Sequence, residues 1–135
     1  GIKEAVNEEE RIKDLIKISL SNESFKIYSG DDPSFLKMLS LGGHGVISVA
    51  ANVVPKSISS ICTFYKNNEV EKAEEINNKL NNLYDLLFIQ SNPMTVKWMM
   101  YKMGLIQNVL RLPLVELDKK YQEIIISEML KLELL

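Results

Sequence analysis

Gly45-Val46-Ile47-Ser48-Val49-Ala50 decides how the rest of this chain is read. The run is uncharged and rich in β-branched residues. It lacks the polar–apolar alternation of a strand with one wet face. Such a run suits a strand covered on both faces, as in a parallel sheet flanked by helices. Two extended stretches precede it. Phe25-Lys26-Ile27-Tyr28 leads into Ser29-Gly30-Asp31-Asp32, and Gly1-Ile2-Lys3-Glu4-Ala5 reads as the end of a buried strand from which a lysine projects.

Helical patterns separate these stretches. Asn7 is an N-cap candidate ahead of Glu8, Glu9 and Glu10, where the helix dipole favours acids. Ile12, Leu15, Ile16 and Ser19 then recur at helical spacing, which predicts a helix over 8–20. Asp32-Pro33 predicts a second helix start with proline at the first helical position; Phe35, Leu36 and Leu39 face inward and Gly42-Gly43 ends it. Beyond a loop at Ala51–Val54 only helices are predicted. Pro55 opens one carrying Ile58, Ile61, Cys62 and Tyr65. A longer one carries Val70, Ala73, Ile76, Leu80, Leu83 and Leu87 on one face. Asn92-Pro93 caps another, with Val96, Met99, Met100 and Met103 on one side and Gly104 at its end. Leu110–Leu114 is extended, and Asp118 caps a last helix with Tyr121, Ile124, Ile125, Met129 and Leu132 inward.

Strands separated by helices imply parallel pairing through right-handed crossovers. Three strands cannot close a barrel and leave an exposed parallel edge, a liability that proteins manage. Two architectures satisfy the pattern. One is a small open α/β sheet. The other is the last three strands of a (β/α)8 barrel followed by an appended helical region, with residues 1–54 holding the last three β/α units and 55–135 the final barrel helix and the appended helices. The chain begins with Gly1 and in mid-strand, so the expectation is a segment of a longer polypeptide.

At 135 residues the chain is one domain at most. Hydrophobic residues make up 46% and charged ones 25%, as in ordinary globular proteins. A net charge of −2 gives no electrostatic case for nucleic acid or an anionic membrane surface. No apolar run approaches the roughly 18–20 residues of a membrane span. A single cysteine, Cys62, forms no internal disulfide, and with the one histidine, His44, it is too small a set for a structural zinc site, so no metal is expected. A reducing, cytoplasmic setting is the default.

In a barrel the chemistry sits at the carboxyl ends of the strands. Lys3 and Glu4, Ser29 to Asp32, and Ser48 to Asn52 meet that condition. A lysine held in a dry site loses its charge more readily, and the neutral amine can attack a ketone to form a Schiff base. A lysine solvated near a chain end is the plainer alternative. His44 falls at the amino end of its strand, where barrels place stability rather than catalysis. Cys62 reads as a small core residue. The methionines around Trp98 have the spacing of a packed helix face rather than of a metal or cofactor box.

Five segments in order, Gly1–Ala5, Ser29–Asp32, Gly42–Asn52, Ser91–Trp98 and Leu110–Leu114, resemble the dihydrodipicolinate synthase family, within the wider group of pyruvate-dependent class I aldolases that includes N-acetylneuraminate lyase. The resemblance runs the length of the chain. It implies a barrel in which Lys3 forms an imine with pyruvate. The derived enamine attacks aspartate semialdehyde, and cyclisation yields the hydroxylated tetrahydrodipicolinate of lysine biosynthesis, with no cofactor beyond the covalent imine. By resemblance Ile47 lines the pyruvate pocket, Gly30 leaves room near the substrate, and Asp31 has a weaker claim on it. Asn52 is expected to be structural. The family's proton-relay tyrosines and threonine, its arginine and its carboxylate-binding threonines belong to the other half of the barrel; Tyr28, Tyr65, Tyr84, Tyr101 and Tyr121 match none of these motifs. The 135 residues alone are therefore expected to be inactive, with Lys3 solvated. The resemblance also implies a homotetramer, with residues 8–41 near its weaker interface. The rival functions are another aldolase, acting on N-acetylneuraminate or a keto-deoxy sugar acid, and a non-catalytic α/β interaction module.

Overall fold

The computed structural model describes residues 1–135. Three short strands form one parallel sheet in the order β1 (Ile2–Glu4), β2 (Ile27–Ser29), β3 (Gly45–Val46). The register pairs Ile2 with Ile27, Lys3 with Tyr28 and Glu4 with Ser29, then Tyr28 with Gly45 and Ser29 with Val46. Helix α1 (Glu9–Ser21) connects the first pair and α2 (Phe35–Ser40) the second. A 3-10 turn (Ala50–Asn52) follows β3. Helices α3 (Pro55–Lys66), α4 (Val70–Lys79), α5 (Asn81–Leu87), α6 (Met94–Lys102) and α7 (Lys119–Lys131) complete the chain. The architecture is α/β, three parallel strands and seven helices.

Side chains alternate across a strand, so successive residues serve opposite faces of the sheet. Ile27 is fully buried and packs with Ile12 of α1 and Met38 of α2, a small core that covers one face. The opposite face, carrying Lys3, Tyr28 and Ile47, has no helix over it; Lys3 is exposed and Ile47 is 51% exposed. The main core lies elsewhere. Nineteen buried residues, among them Phe35, Val53, Ile61, Leu83, Tyr84, Trp98, Met99, Ile125 and Met129, form one cluster built mainly by α3 to α7 and the turn after β3, with Phe35 and Leu39 of α2 joining it. Most of the chain's own apolar burial, the main driving force for folding, thus belongs to the helical part.

Several local expectations change. Helix α1 starts one residue later than predicted, with Glu8 rather than Asn7 at its N-cap and no side chain capping it. The helix expected from Asp32-Pro33 begins only at Phe35, after Ser34. No side chain caps it; Asp31 instead braces the turn before it, its Oδ2 accepting from the Ser34 amide at 3.2 Å and from the Ser34 hydroxyl. Strand β3 ends at Val46 instead of reaching Ala50. Ile47 still donates its amide to the Ser29 carbonyl at 2.8 Å, but by Val49 the backbone has turned helical (φ −75°, ψ −43°). The predicted helix through Val70–Leu87 breaks at Leu80, whose amide bonds to the Asn77 carbonyl at 3.0 Å in a tight turn; the Asn77 side chain in turn accepts from the Tyr84 hydroxyl at 3.1 Å.

The helix stops and the last cap follow the predicted chemistry. Gly42 and Gly104 adopt φ of +106° and +74°, the left-handed region that ends helices α2 and α6. Asp118 accepts from the Lys120 amide at 3.0 Å and caps α7. On that helix Ile125 and Met129 are buried, but Ile124, predicted inward, is 51% exposed. Glu128 goes in instead, held by Asn82 Nδ2 at 2.6 Å.

Candidate active site

Lys3, Gly30 and Ile47 come from three different strands to one end of one face. Lys3 sits opposite Tyr28 in the register, so both side chains rise from the open face. Gly30 and Ile47 follow β2 and β3 directly, one level nearer the carboxyl end of the sheet. The Lys3 stem runs toward that end. A Cβ placed on Gly30 would meet Lys3 Cε at 2.8 Å, Ala5 Cβ at 3.0 Å and Lys3 Cγ at 3.1 Å. The room that Gly30 leaves is therefore occupied by the lysine itself. The neighbouring strand repeats the device: a Cβ on Gly45 would lie 3.3 Å from the Tyr28 ring.

The amine of Lys3 takes part in none of the chain's ion pairs or side-chain hydrogen bonds. Its neighbour Glu4, on the other face, is committed. Glu4 is 5% exposed, accepts from the Val6 amide at 2.8 Å and pairs with Arg11. The Val6 amide, aided by the Arg11 guanidinium against the opposing effect of burial, holds the Glu4 carboxyl below the usual range. Strand alternation thus separates the two charges: the carboxylate is neutralised in the helix-covered layer and the amine is left free on the open face.

Asp31, the weaker substrate candidate, spends its Oδ2 on Ser34, and its backbone is closed into a turn by Ser29 Oγ, which accepts from the Asp31 amide at 3.1 Å and donates to the Asp31 carbonyl at 3.0 Å. Asn52 donates Nδ2 to the Val49 carbonyl at 2.9 Å, a local structural bond. Two residues near the site have partners that the sequence reading did not assign to them. Tyr28 is the register partner of Lys3, a relation that parallel pairing of the two predicted strands with period-two alternation would have supplied. Asp32 reaches across to the loop after β3 and accepts from the Val49 and Ala50 amides at 3.0 and 2.9 Å; no local pattern signals a bond spanning 17 and 18 residues.

His44 lies at the opposite, amino end of the sheet, where its Nδ1 accepts from the Ile27 amide at 3.2 Å and extends the β2–β3 edge. It helps line a cleft of about 530 Å³ with Cys62, Thr63 and Tyr65. Lys3 lines none of the chain's clefts; it sits on an uncovered face rather than in a hollow. Cys62 is half-buried, and burial pushes its thiol pKa up, which makes it a poor nucleophile. No three His, Cys, Asp or Glu side chains converge on a point that would hold a metal ion.

Comparison with known proteins matches residues 1–131 to the dihydrodipicolinate synthetase family. The chain belongs to that family. Among curated members, the 4-hydroxy-tetrahydrodipicolinate synthase of Nitrosomonas europaea is 44% identical over 131 residues, covering 97% of this chain and 44% of its own. That of Ralstonia nicotianae is 43% identical over 125 residues, covering 93% and 42%. Among solved structures, the dihydrodipicolinate synthase of Thermotoga maritima superposes with a TM-score of 0.95 at 37% identity, over 100% of this chain and 46% of that one. The chloride-inhibited enzyme of Acinetobacter baumannii, solved with pyruvate, gives 0.91 at 38% identity over the same shares. The chain spans less than half the length of these family members.

Proposed function

We propose that residues 1–135 are the carboxyl-terminal part of a (β/α)8 barrel and carry the Schiff-base lysine of a 4-hydroxy-tetrahydrodipicolinate synthase. Residues 1–54 supply the last three β/α units, and 55–135 the final barrel helix and the appended helices. The observation that carries this reading is the convergence of Lys3, Gly30 and Ile47 at the carboxyl end of one uncovered sheet face, with the lysine stem laid over the bare glycine. A barrel puts that face inward and that end at the active site. The family membership and the pyruvate complex of a solved relative support the substrate.

In this reading Lys3 Nζ attacks the C2 carbonyl carbon of pyruvate, and the carbonyl oxygen leaves as water. The iminium draws electrons from C3, which loses a proton and becomes the enamine nucleophile. That carbon bonds to the aldehyde carbon of aspartate semialdehyde, whose oxygen takes a proton. The amine of the semialdehyde then attacks the imine carbon, closes the ring and releases Lys3. The covalent imine serves as the electron sink, so no separate cofactor takes part. Ile47 and Gly30 shape the pyruvate end of the pocket, and Asp31 borders it. The proton relay and the groups that hold the carboxylates come from the strands that complete the barrel. The 135 residues alone are inactive, and the whole enzyme works in the cytoplasm as a homotetramer. No helix of the chain is long and apolar enough to cross a membrane.

The test is borohydride reduction of the complete protein with pyruvate, followed by peptide mass spectrometry. A reduced pyruvate adduct on Lys3 is expected. Its absence sinks this reading and that of any related aldolase. Condensation with aspartate semialdehyde, but not with aldehyde sugars, then separates the synthase from the sugar-acid lyases.

A further inference from the structure

We propose that Asp32 is a positioning residue for the pyruvate site, tying the loop after β2 to the first turn after β3 so that Ile47 is held at a fixed place relative to Gly30 and Lys3. The proposal rests on the function given above.

Strands β2 and β3 part company at a defined point. Their last backbone bond runs from the Ile47 amide to the Ser29 carbonyl, at 2.8 Å. Past it, Gly30 and Asp31 leave along one arm and Ser48 along the other. The two arms are rejoined by a side chain: Asp32 Oδ2 accepts from both the Val49 and Ala50 amides, at 3.0 and 2.9 Å. Ile47 is thus fixed on one side by the sheet and on the other, two residues on, by a carboxylate. Ser48 stiffens the same turn by accepting from the Ala51 amide at 2.8 Å. Gly30 and Ile47, the two proposed pocket walls, both lie within the ring so formed.

Asp32 is 1% exposed, and its engaged oxygen already has two donors, so it is not a substrate ligand. It does not cap the following helix either: α2 has Ser34 at its N-cap and no side chain capping it. Its second oxygen, Oδ1, is buried without a partner. Leaving a buried carboxylate oxygen unpaired is unfavourable, and such a group calls for a reason other than stability. Charge-assisted bonds to two adjacent amides are strong and directional, which is what fixing a loop to a few tenths of an ångström requires. The charge also acts on the main core: after burial, it is the next cause that pushes the Tyr84 phenol pKa upward.

The experiment compares the complete wild-type protein with Asp32→Ala, Asp32→Asn and a core control, Ile61→Val, by the rate at which borohydride traps pyruvate on Lys3 and by thermal unfolding. Asp32→Ala is expected to trap roughly ten- to a hundredfold more slowly, the scale set by small misplacements of reacting groups. Asp32→Asn, which keeps an oxygen facing the two amides, is expected to restore most of the rate, while Ile61→Val loses stability without slowing trapping. Should Asp32→Ala fail to fold, Asp32→Glu takes its place, because it keeps the charge but shifts the clamp by one methylene. If the substituted protein traps as fast as the control, or if Asp32→Asn restores nothing, the positioning role is overturned while the function stands. If the wild type itself gives no adduct, function and positioning fall together.

Discussion

A Cβ on Gly30 would stand 2.8 Å from Cε of Lys3, closer than two carbons approach without one of them moving. The two residues come from adjacent strands, and the glycine serves as the floor for the lysine stem. Gly30 is not among the glycines with positive φ, so alanine there is not strained by the backbone. What it meets is the flexible, exposed Lys3 side chain, at Cε and Cγ, and the Cβ of exposed Ala5 at 3.0 Å, a contact that asks for only a small shift. Gly30→Ala is therefore expected to leave stability within about 1 kcal/mol of wild type. Trapping of pyruvate by the complete enzyme falls about tenfold or more, because the amine is re-aimed. Denaturant titration and trapping rate measured on the same protein check both halves.

Lys3→Arg removes the proposed nucleophile and keeps the charge. With no ion pair or hydrogen bond to lose, the substitution is expected to change stability by no more than about 0.5 kcal/mol. Mass spectrometry after borohydride treatment with pyruvate should show no adduct anywhere in the substituted protein. A persistent adduct would assign the imine to another lysine.

Leu83 is fully buried in the large helical cluster. Leu83→Ala leaves a cavity there and is expected to destabilise the protein by about 2–5 kcal/mol. Urea unfolding followed by circular dichroism measures it, with the slope of the transition unchanged.

Glu4 gives an acid-dependent contribution whose direction follows from its partners. The Val6 amide and Arg11 favour the carboxylate, so the folded group binds its proton at lower pH than the unfolded one, whose ordinary value is 4.5. Below that value the unfolded chain takes up the proton first. The stabilisation is complete above about pH 4.5 and is lost as pH falls through the depressed folded value. Glu4→Gln should therefore show a shallower loss of stability than wild type as pH drops below 4.5, with the two curves parallel at higher pH. Unfolding midpoints collected from pH 3 to 7, at roughly one-unit steps, test this.

Much of this layout follows from local rules. Gly42 and Gly104 stop helices because the left-handed backbone they adopt is open to glycine. Pro55 and Asp118 start helices for the opposite reasons, a preset φ and a side-chain acceptor. The three strands and their parallel order follow from the helices between them. Long-range bonds escape such rules. Asp32 followed by proline has the local pattern of a helix cap, yet its partners are 17 and 18 residues away. Leu80 breaks a helix without glycine or proline, because Asn77 and Tyr84 stabilise a tight turn between two packed segments. Glu128 is buried because Asn82, on another helix, offers its carboxylate a donor, while Ile124, expected inward, is exposed. At the site, the motifs single out Lys3, Gly30 and Ile47. That the lysine fills the space left by the glycine depends on the register between two strands, which neither strand states alone.

The unequal division of the core has a consequence for how reactivity is governed. Nineteen residues knit the helices together, while the sheet has Ile12, Ile27 and Met38 on one side and nothing on the other. The proposed nucleophile rides on the least self-sufficient part of the chain. On the proposed function, its stiffness is conferred from outside, by the strands that close over Lys3, Tyr28 and Ile47. Competence then arrives with assembly: the event that shields the amine from water also steadies the strand that bears it.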